Sequence, residues 1–203
     1  MDRGRALWLI DAGYLHAAQS SIAPGYRFDY RKLRDKIEQD GEVWRAYFLN
    51  STANPPTDLQ DSFHRWLRQA PPVGPKIITK LYQLKTIDID RAYCEVCQRE
   101  VAPACPHARN PEVHHLQRQQ QKVVDVGLAT LALTLVGDYD TLVLSSGDGD
   151  LLDTVEYLSL HKKQLELVVF RAGVSGELQS RADRVYWVDE FQDEVRHSAQ
   201  PRT

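Results

Sequence analysis

The sequence contains no long apolar run. None of the runs in its 203 residues approaches the roughly 20 residues that a membrane-spanning helix needs. The first run, ALWLI at residues 6–10, is interrupted by Asp11, whereas the apolar core of a secretory signal needs about 7–15 residues. We therefore expect no membrane span and no export signal, and we predict a cytoplasmic protein.

An excess of positive charge and a disulfide-rich composition are missing as well. The formal net charge of −3 excludes a strongly basic nucleic-acid coat, although a local basic groove would not change this total. The chain has three cysteines, and they lie within twelve positions at Cys94, Cys97 and Cys105. An odd, clustered set without an export signal indicates thiol or metal chemistry in a reducing compartment.

Apolar residues make up 42% of the chain, which is enough to bury a core. Strand-like and helix-like patterns alternate along it, as in an α/β fold with a mostly parallel central sheet covered on both faces, a three-layer sandwich. We predict strands at 6–10, 43–49, 76–84, 141–145, 165–170 and 184–188, and helices at 29–39, 57–70, 117–136, 151–163 and 175–182. One domain would span residues 1–197, with an insert without regular patterning at 86–116 and a flexible tail at 198–203.

Acidic side chains follow two of the predicted strands. Asp11 ends the first strand, and Asp148 and Asp150 come after the strand TLVLS in a loop whose glycines, Gly147 and Gly149, permit a tight turn. Open α/β sheets bind ligands at the carboxyl ends of their strands. Carboxylates gathered there raise each other's pKa, and Mg²⁺ or Mn²⁺ relieves that repulsion.

Further candidate residues lie near these acids. Asp125 borders the apolar stripe of the predicted long helix, where a charge needs a partner or a metal. Lys122 is either the charge partner of Asp125 or a phosphate contact. Ser145 and Ser146 could orient a phosphate, and Arg171 ends a predicted strand at the same edge. Each acid also has an ordinary explanation, as a helix cap, a turn residue or half of a surface ion pair.

Three segments, in this order, resemble a known family. WLIDAGYL, KVVDVGLATLAL and LVLSSGDGDLL resemble motifs of the NYN domain family, a branch of the PIN-like nucleases, and are most similar to its bacterial LabA/DUF88 group. The resemblance spans roughly residues 6–190 outside the insert. It departs from the family's SGDSDF at Gly149 and Leu151, and Tyr14 stands where many members carry asparagine.

The resemblance implies a metal-dependent ribonuclease. Its metal-binding residues, which would hold one or two Mg²⁺ or Mn²⁺ ions, would be Asp11, Asp125, Asp148 and Asp150. In such a site a metal-bound water attacks the phosphorus without a covalent enzyme intermediate. Lys122, Ser145, Ser146 and Arg171 would be its substrate contacts. The expected partner is single-stranded RNA, while the RNA sequence, the endo- or exonuclease mode and a homo-oligomeric state are left open.

Two other functions compete with this interpretation. A non-catalytic RNA-binding or protein-interaction module could use the same fold, but such a module has no need to gather repelling carboxylates. A phosphatase of the haloacid-dehalogenase type requires a second aspartate two residues after the first, where this chain has Gly13. A dinucleotide-binding role is excluded because no G-x-G-x-x-G follows the first strand.

The insert carries a separate metal motif, CEVCQREVAPACPH at residues 94–107. Two cysteines three positions apart have the spacing of a zinc knuckle. A closed four-ligand site would be structural and would order a segment that otherwise lacks a core. The alternative is a set of reduced or redox-active thiols. The predicted Zn²⁺ ligands are Cys94, Cys97, Cys105 and a histidine, His107 or in its place His114 or His115.

Overall fold

The structure, a computed structural model, describes residues 3–52, 55–107, 116–120 and 123–198. Its strands are, in chain order, β1 (Ala6–Asp11), β2 (Val43–Thr52), β3 (Ile78–Gln83), β4 (Lys85–Asp88), β5 (Ala92–Cys94), β6 (Arg99–Val101), β7 (Gln117–Gln120), β8 (Thr141–Ser145), β9 (Gln164–Val169) and β10 (Arg184–Trp187). Six of them form one sheet in the order β10–β9–β8–β1–β2–β3. All neighbours in this sheet run parallel, which confirms the predicted α/β class.

Helices cover both faces of this sheet. They are α1 (Ala12–Ala18), α2 (Tyr30–Ile37), α3 (Asp58–Arg68), α4 (Val124–Thr134), α5 (Leu152–Leu160) and α6 (Gly176–Arg181), with 3₁₀ turns at Gln19–Ser21, Glu38–Asp40, Gly149–Leu151 and Val188–Phe191. Asp29 and Thr57 cap α2 and α3, as their positions in the sequence predict. Among the described residues, no helix is long and apolar enough to cross a membrane.

The central strands β1 and β8 are buried along their whole length. Successive side chains of a strand point to opposite faces, so β1 contributes to two separate cores. Trp8 and Ile10 pack with residues of α1, α2 and α3, whereas Leu7 and Leu9 pack with residues of α4, α5 and α6. The result is the predicted arrangement of three layers. Burial on both faces explains why ALWLI is apolar at every position and TLVLS at every position except Thr141 and Ser145.

Two predictions about local structure are wrong. The long helix predicted at 117–136 is divided: QRQQ forms β7, and α4 begins at Val124. QRQQ has no apolar side chain, so a helix there would have no face to bury, and the segment pairs instead with β4. The seven-residue helix α1 was not predicted, and it follows directly from its cap, Asp11.

The predicted insert has regular structure, and we call residues 85–120, from the start of β4 to the end of β7, the arm. β4 and β7 form an antiparallel ribbon, and β5 and β6 form a second antiparallel pair. β4 begins two residues after β3 ends, and β7 ends four residues before α4 begins. Because parallel strands end at the same edge of a sheet, the arm is rooted at the edge where Asp11 ends β1.

Candidate active site

β1 and β8 lie side by side and end at the same edge of the sheet. Their register pairs Ile10 with Ser145, so the next residues, Asp11 and Ser146, are adjacent. Ser146 Oγ donates a 3.3 Å hydrogen bond to Asp11 Oδ2. The Asp11 Oδ1 atom accepts a 3.1 Å hydrogen bond from the amide of Tyr14. Asp11 is therefore both the cap of α1 and a buried carboxylate at the sheet edge.

The loop after β8 carries two further acids. Asp148 caps the 3₁₀ turn, because its Oδ1 accepts a 2.9 Å hydrogen bond from the amide of Asp150. The amide of Asp148 donates to Ser146 Oγ at 3.3 Å. Ser146 thus connects the Asp148 loop to the carboxylate of Asp11, and capping is one role of Asp148 in the fold.

Three of the four predicted acids line one cleft. The cleft has a volume of about 490 Å³, and its lining residues are Asp11, Gly13, Tyr14, Asp125, Gly147, Asp148, Gly149 and Gly173. Asp125 reaches it from the first turn of α4. Since Asp11 and Asp148 follow the ends of adjacent strands, the topology of the sheet brings these carboxylates together across more than 100 residues of sequence.

The acids influence one another electrostatically. Burial raises the pKa of Asp11, and the charge of Asp125 raises it further, while hydrogen bonds to the carboxylate act in the opposite direction. Burial also raises the pKa of Asp125, and repulsion from Asp148 and then from Asp150 adds to this effect. Asp150 does not line the cleft, but its charge raises the pKa of Asp125, which does. The acids in and around the cleft therefore oppose one another's ionisation.

This donor set fits a hydrated divalent cation. Carboxylate oxygens are hard ligands that suit Mg²⁺ or Mn²⁺, and Mg²⁺ usually keeps several waters and binds only one or two carboxylates directly. Within the described ranges, no three His, Cys, Asp or Glu side chains come together closely enough to enclose an ion. A cleft of this volume leaves space for an ion that retains part of its water shell.

Comparison with known proteins decides the family. The model of the NYN domain matches residues 5–189. The chain belongs to the NYN domain family. A protein of unknown function from Vibrio parahaemolyticus has a similar crystal structure, with a TM-score of 0.64, 21% sequence identity and coverage of 97% of this chain and 98% of that chain. That likeness shows the fold alone, and no curated protein matches the sequence.

Family membership gives the acids a context. NYN domains have a PIN-like nuclease fold, act on RNA and usually use divalent metals. The predicted resemblance to the NYN family is confirmed, whereas the closeness to the LabA/DUF88 group stays a prediction. The cleft lies at the carboxyl edge of the NYN sheet, where ligands bind in open α/β folds.

Of the residues that line the NYN cleft, Tyr14 and the four glycines were not predicted as site residues. The Tyr14 hydroxyl donates a 2.9 Å hydrogen bond to the carbonyl of Phe170 and lies 3.3 Å from that of Ala172. Tyr14 therefore joins the β1–α1 junction to the loop after β9. No local pattern indicates these contacts, because Phe170 and Ala172 are 156 and 158 positions away from Tyr14 in the sequence.

The two predicted serine contacts are placed differently. Ser146 is fully buried beside Asp11 and donates its hydroxyl hydrogen to that carboxylate, but it is not one of the residues that line the cleft. Ser145 is fully buried, and its Oγ accepts a 2.9 Å hydrogen bond from Trp8 Nε1 in the core on the other face of the sheet. The structure thus brings Ser146, and not Ser145, to the acids.

Of the two predicted cationic contacts, only Arg171 lies within the described residues. Arg171 follows β9 with one residue between, and its Nη2 is 2.6 Å from Glu190 Oε1. Its side chain is 58% exposed, so it does not form part of the cleft wall. Lys122 lies outside the described residues.

In the arm, the segment from Cys94 to Gln98 forms a tight turn. Cys94 ends β5, and its carbonyl accepts a 2.8 Å hydrogen bond from the amide of Gln98, a residue with a left-handed φ of 54°. Hydrogen bonds from the amide and thiol of Cys97, and from the amide of Val96, lower the pKa of the Cys94 thiol. The turn thus favours a thiolate at Cys94.

The other predicted zinc ligands are not gathered around this turn. Cys94, Cys97 and Cys105 are free cysteines, and His107 is exposed. His114 and His115 lie outside the described residues. In the part of the chain that the structure describes, no three possible ligands converge on a metal position, so the structure does not show the predicted zinc site.

Proposed function

We propose that this NYN protein is a metal-dependent ribonuclease that hydrolyses phosphodiester bonds of single-stranded RNA. One observation carries the proposal: Asp11, Asp125 and Asp148 line a single cleft at the carboxyl edge of the sheet, with Asp150 in electrostatic reach. Fold and family alone would also suit an RNA-binding or protein-interaction module. Binding alone, however, gives no reason to keep mutually repelling acids around an open cleft.

The four aspartates would hold Mg²⁺ or Mn²⁺. When bound, the cation supplies charge stabilisation to the phosphate and makes a nucleophilic water available near neutral pH. Ser146, which donates its hydroxyl hydrogen to Asp11, would fix the orientation of that carboxylate. Lys122 and Arg171 would contact the RNA. No side-chain nucleophile is needed, because water is the attacking group.

Chelation is expected to abolish the activity. The purified protein, incubated with a fluorescently labelled single-stranded RNA and Mn²⁺ or Mg²⁺, should release shorter products. The same reaction with excess EDTA should release none, and added Mn²⁺ should restore it. Cleavage that persists in EDTA after removal of bound metal would contradict the proposal. RNA binding without cleavage in any metal would favour the non-catalytic module.

We propose, in addition, that the arm holds a structural Zn²⁺. Thiolates and imidazole are the ligands that Zn²⁺ prefers in closed, four-coordinate sites. Cys94 and Cys97 would bind first, supported by the amide hydrogen bonds that already favour the Cys94 thiolate. Cys105 and a histidine, His107 or else His114 or His115, would complete the set. No arm residue whose burial the structure describes is buried, so metal binding would supply part of the folding free energy of the arm.

Elemental analysis should find about one zinc per chain in protein purified without chelator. Cobalt substitution should give the intense charge-transfer absorption of thiolate ligands, so this test does not depend on cleavage. Cys94→Ser and Cys97→Ser are expected to lose both signals, while His161→Gln, a change on the exposed end of α5, should keep them. A folded protein that contains no zinc and binds no cobalt would reject the assignment.

A further inference from the structure

The loop after β9 carries an arginine stacked on a tryptophan. The Arg171 guanidinium carbon lies 4.7 Å from the centre of the Trp187 ring. Glu190 holds the guanidinium at 2.6 Å, and the Arg171 amide donates a 2.9 Å hydrogen bond to Asp189. Three contacts thus fix the arginine, while 58% of its side chain stays exposed.

This pair lies beside the acid cleft. β9 is the neighbour of β8, and β10, which ends at Trp187, is the next strand. Neighbouring strands are about 4.8 Å apart, so Trp187 is about 10 Å across the edge from the end of β8. Tyr14, which lines the cleft, bonds to the carbonyl of Phe170, the residue before Arg171. An RNA strand lying along this edge would pass from the acids to the pair.

The chemistry of the pair suits a base better than a phosphate. An arginine that binds phosphate offers its N–H groups to the anion, but in Arg171 the carboxylate of Glu190 already occupies one edge and balances the charge. What Arg171 still offers is a flat guanidinium plane supported by an indole ring. Unpaired RNA bases stack on such planes and on aromatic rings.

We propose that Arg171 and Trp187 form a stacking subsite for one unpaired base of the RNA, next to the scissile phosphate. The inference rests on the proposed ribonuclease activity and specifies how its substrate is held. The subsite selects single-stranded RNA, because a paired base is not free to stack on protein.

The chain contains a matched control. The guanidinium carbons of Arg45 and Arg5 lie 4.3 and 5.3 Å from the ring centre of Trp44. Trp44 with these two arginines has the same chemistry as Trp187 with Arg171. Trp44 is the second residue of β2, so it lies at the opposite edge of the sheet, away from the cleft. Substitutions of Trp44 test for general effects of losing a surface tryptophan.

The test measures KM and kcat for a short single-stranded RNA with Mn²⁺. Trp187→Ala and Arg171→Ala should each raise KM about 10-fold, the effect expected for loss of one stacked base, with little change in kcat. Trp187→Phe should recover part of the loss, and Trp44→Ala should match the wild type. Arg171→Lys, which keeps the charge but not the plane, should behave like Arg171→Ala. In each of these variants the slope of log KM against log salt should equal that of the wild type.

Two results would overturn the subsite: a wild-type KM in Trp187→Ala and Arg171→Ala, or a wild-type KM in Arg171→Lys together with a reduced salt slope in Arg171→Ala, which would indicate a phosphate contact. Melting curves and circular dichroism establish that each variant is folded. If the wild type cleaves no RNA, the ribonuclease proposal fails. The same variants are then compared by fluorescence anisotropy of labelled RNA, so that stacking is tested by affinity alone.

Discussion

Replacing Asp125 by asparagine is expected to abolish cleavage and at the same time to make the metal-free protein more stable. Asp125 would be a direct metal ligand, and its loss should reduce the rate by about 100-fold or more, since even supporting groups of a metal site contribute 10–100-fold. Stability should rise because burial and the charges of Asp148 and Asp150 oppose ionisation of Asp125. This gain should appear as a higher Tm of the metal-free variant.

The pH dependence identifies the cause of this gain. Because the pKa of Asp125 is raised in the fold, the folded chain holds the proton more tightly than the unfolded chain. Its contribution to stability is therefore lost as the pH rises above the ordinary value of 3.8. In EDTA, the Tm advantage of Asp125→Asn should be largest near neutrality and should disappear toward pH 4.

Asp153→Asn is the matched control, because Asp153 is an exposed acid in the first turn of α5. It should change neither cleavage nor the pH profile. An Asp125→Asn protein that cleaves RNA at the wild-type rate would remove Asp125 from the site. One that is less stable than the wild type at neutral pH in EDTA would show that its carboxylate stabilises the fold.

The second large effect is expected at Gly147, where alanine should damage both stability and activity. A Cβ atom there would lie 2.1 Å from the carbonyl oxygen of Gly173 and 2.6 Å from Cε2 of Tyr14. These atoms belong to backbone and to a ring that is held by its hydroxyl, so the loops must separate. We expect a loss of about 3 kcal/mol, or roughly 10 °C in Tm, and a displaced Asp148.

Gly137→Ala and Gly176→Ala are controls for glycine replacement, since a Cβ atom at either position meets no other atom within 4 Å. Both variants should melt close to the wild type. Thermal melting and the Mn²⁺-dependent cleavage assay measure the two effects separately. A Gly147→Ala protein with normal Tm and normal cleavage would mean that the loops of Gly147 and Gly173 are not in close contact in solution.

The position of the acids could be predicted because it depends on strand topology. Asp11 and Asp148 follow apolar strands, and any parallel pairing of those strands brings their ends to one edge. Asp125 was found from its place beside an apolar stripe, although the helix that carries it is shorter than its pattern suggests. Regular burial patterns therefore predicted the sheet, its layers and the site that the layers create.

Contacts between distant loops could not be predicted in this way. Tyr14 reaches Phe170 through one hydroxyl, and Arg171 meets Trp187 through the end of the next strand. Neither contact leaves a periodic trace in the sequence. β7 was missed for a related reason: QRQQ has no apolar position, and its structure depends on pairing with β4.

The way in which the arm joins the sheet has a consequence for how this protein can diversify. Lys85 is paired with Gln120, so the chain departs and returns through neighbouring backbones about 5 Å apart. Because the junction is this narrow, the arm can be lengthened, shortened or exchanged without altering the six-stranded sheet and the helices that cover it. A change in the length of the arm is therefore expected to leave the pairing of β1 with β8, and so the acid cleft, in place.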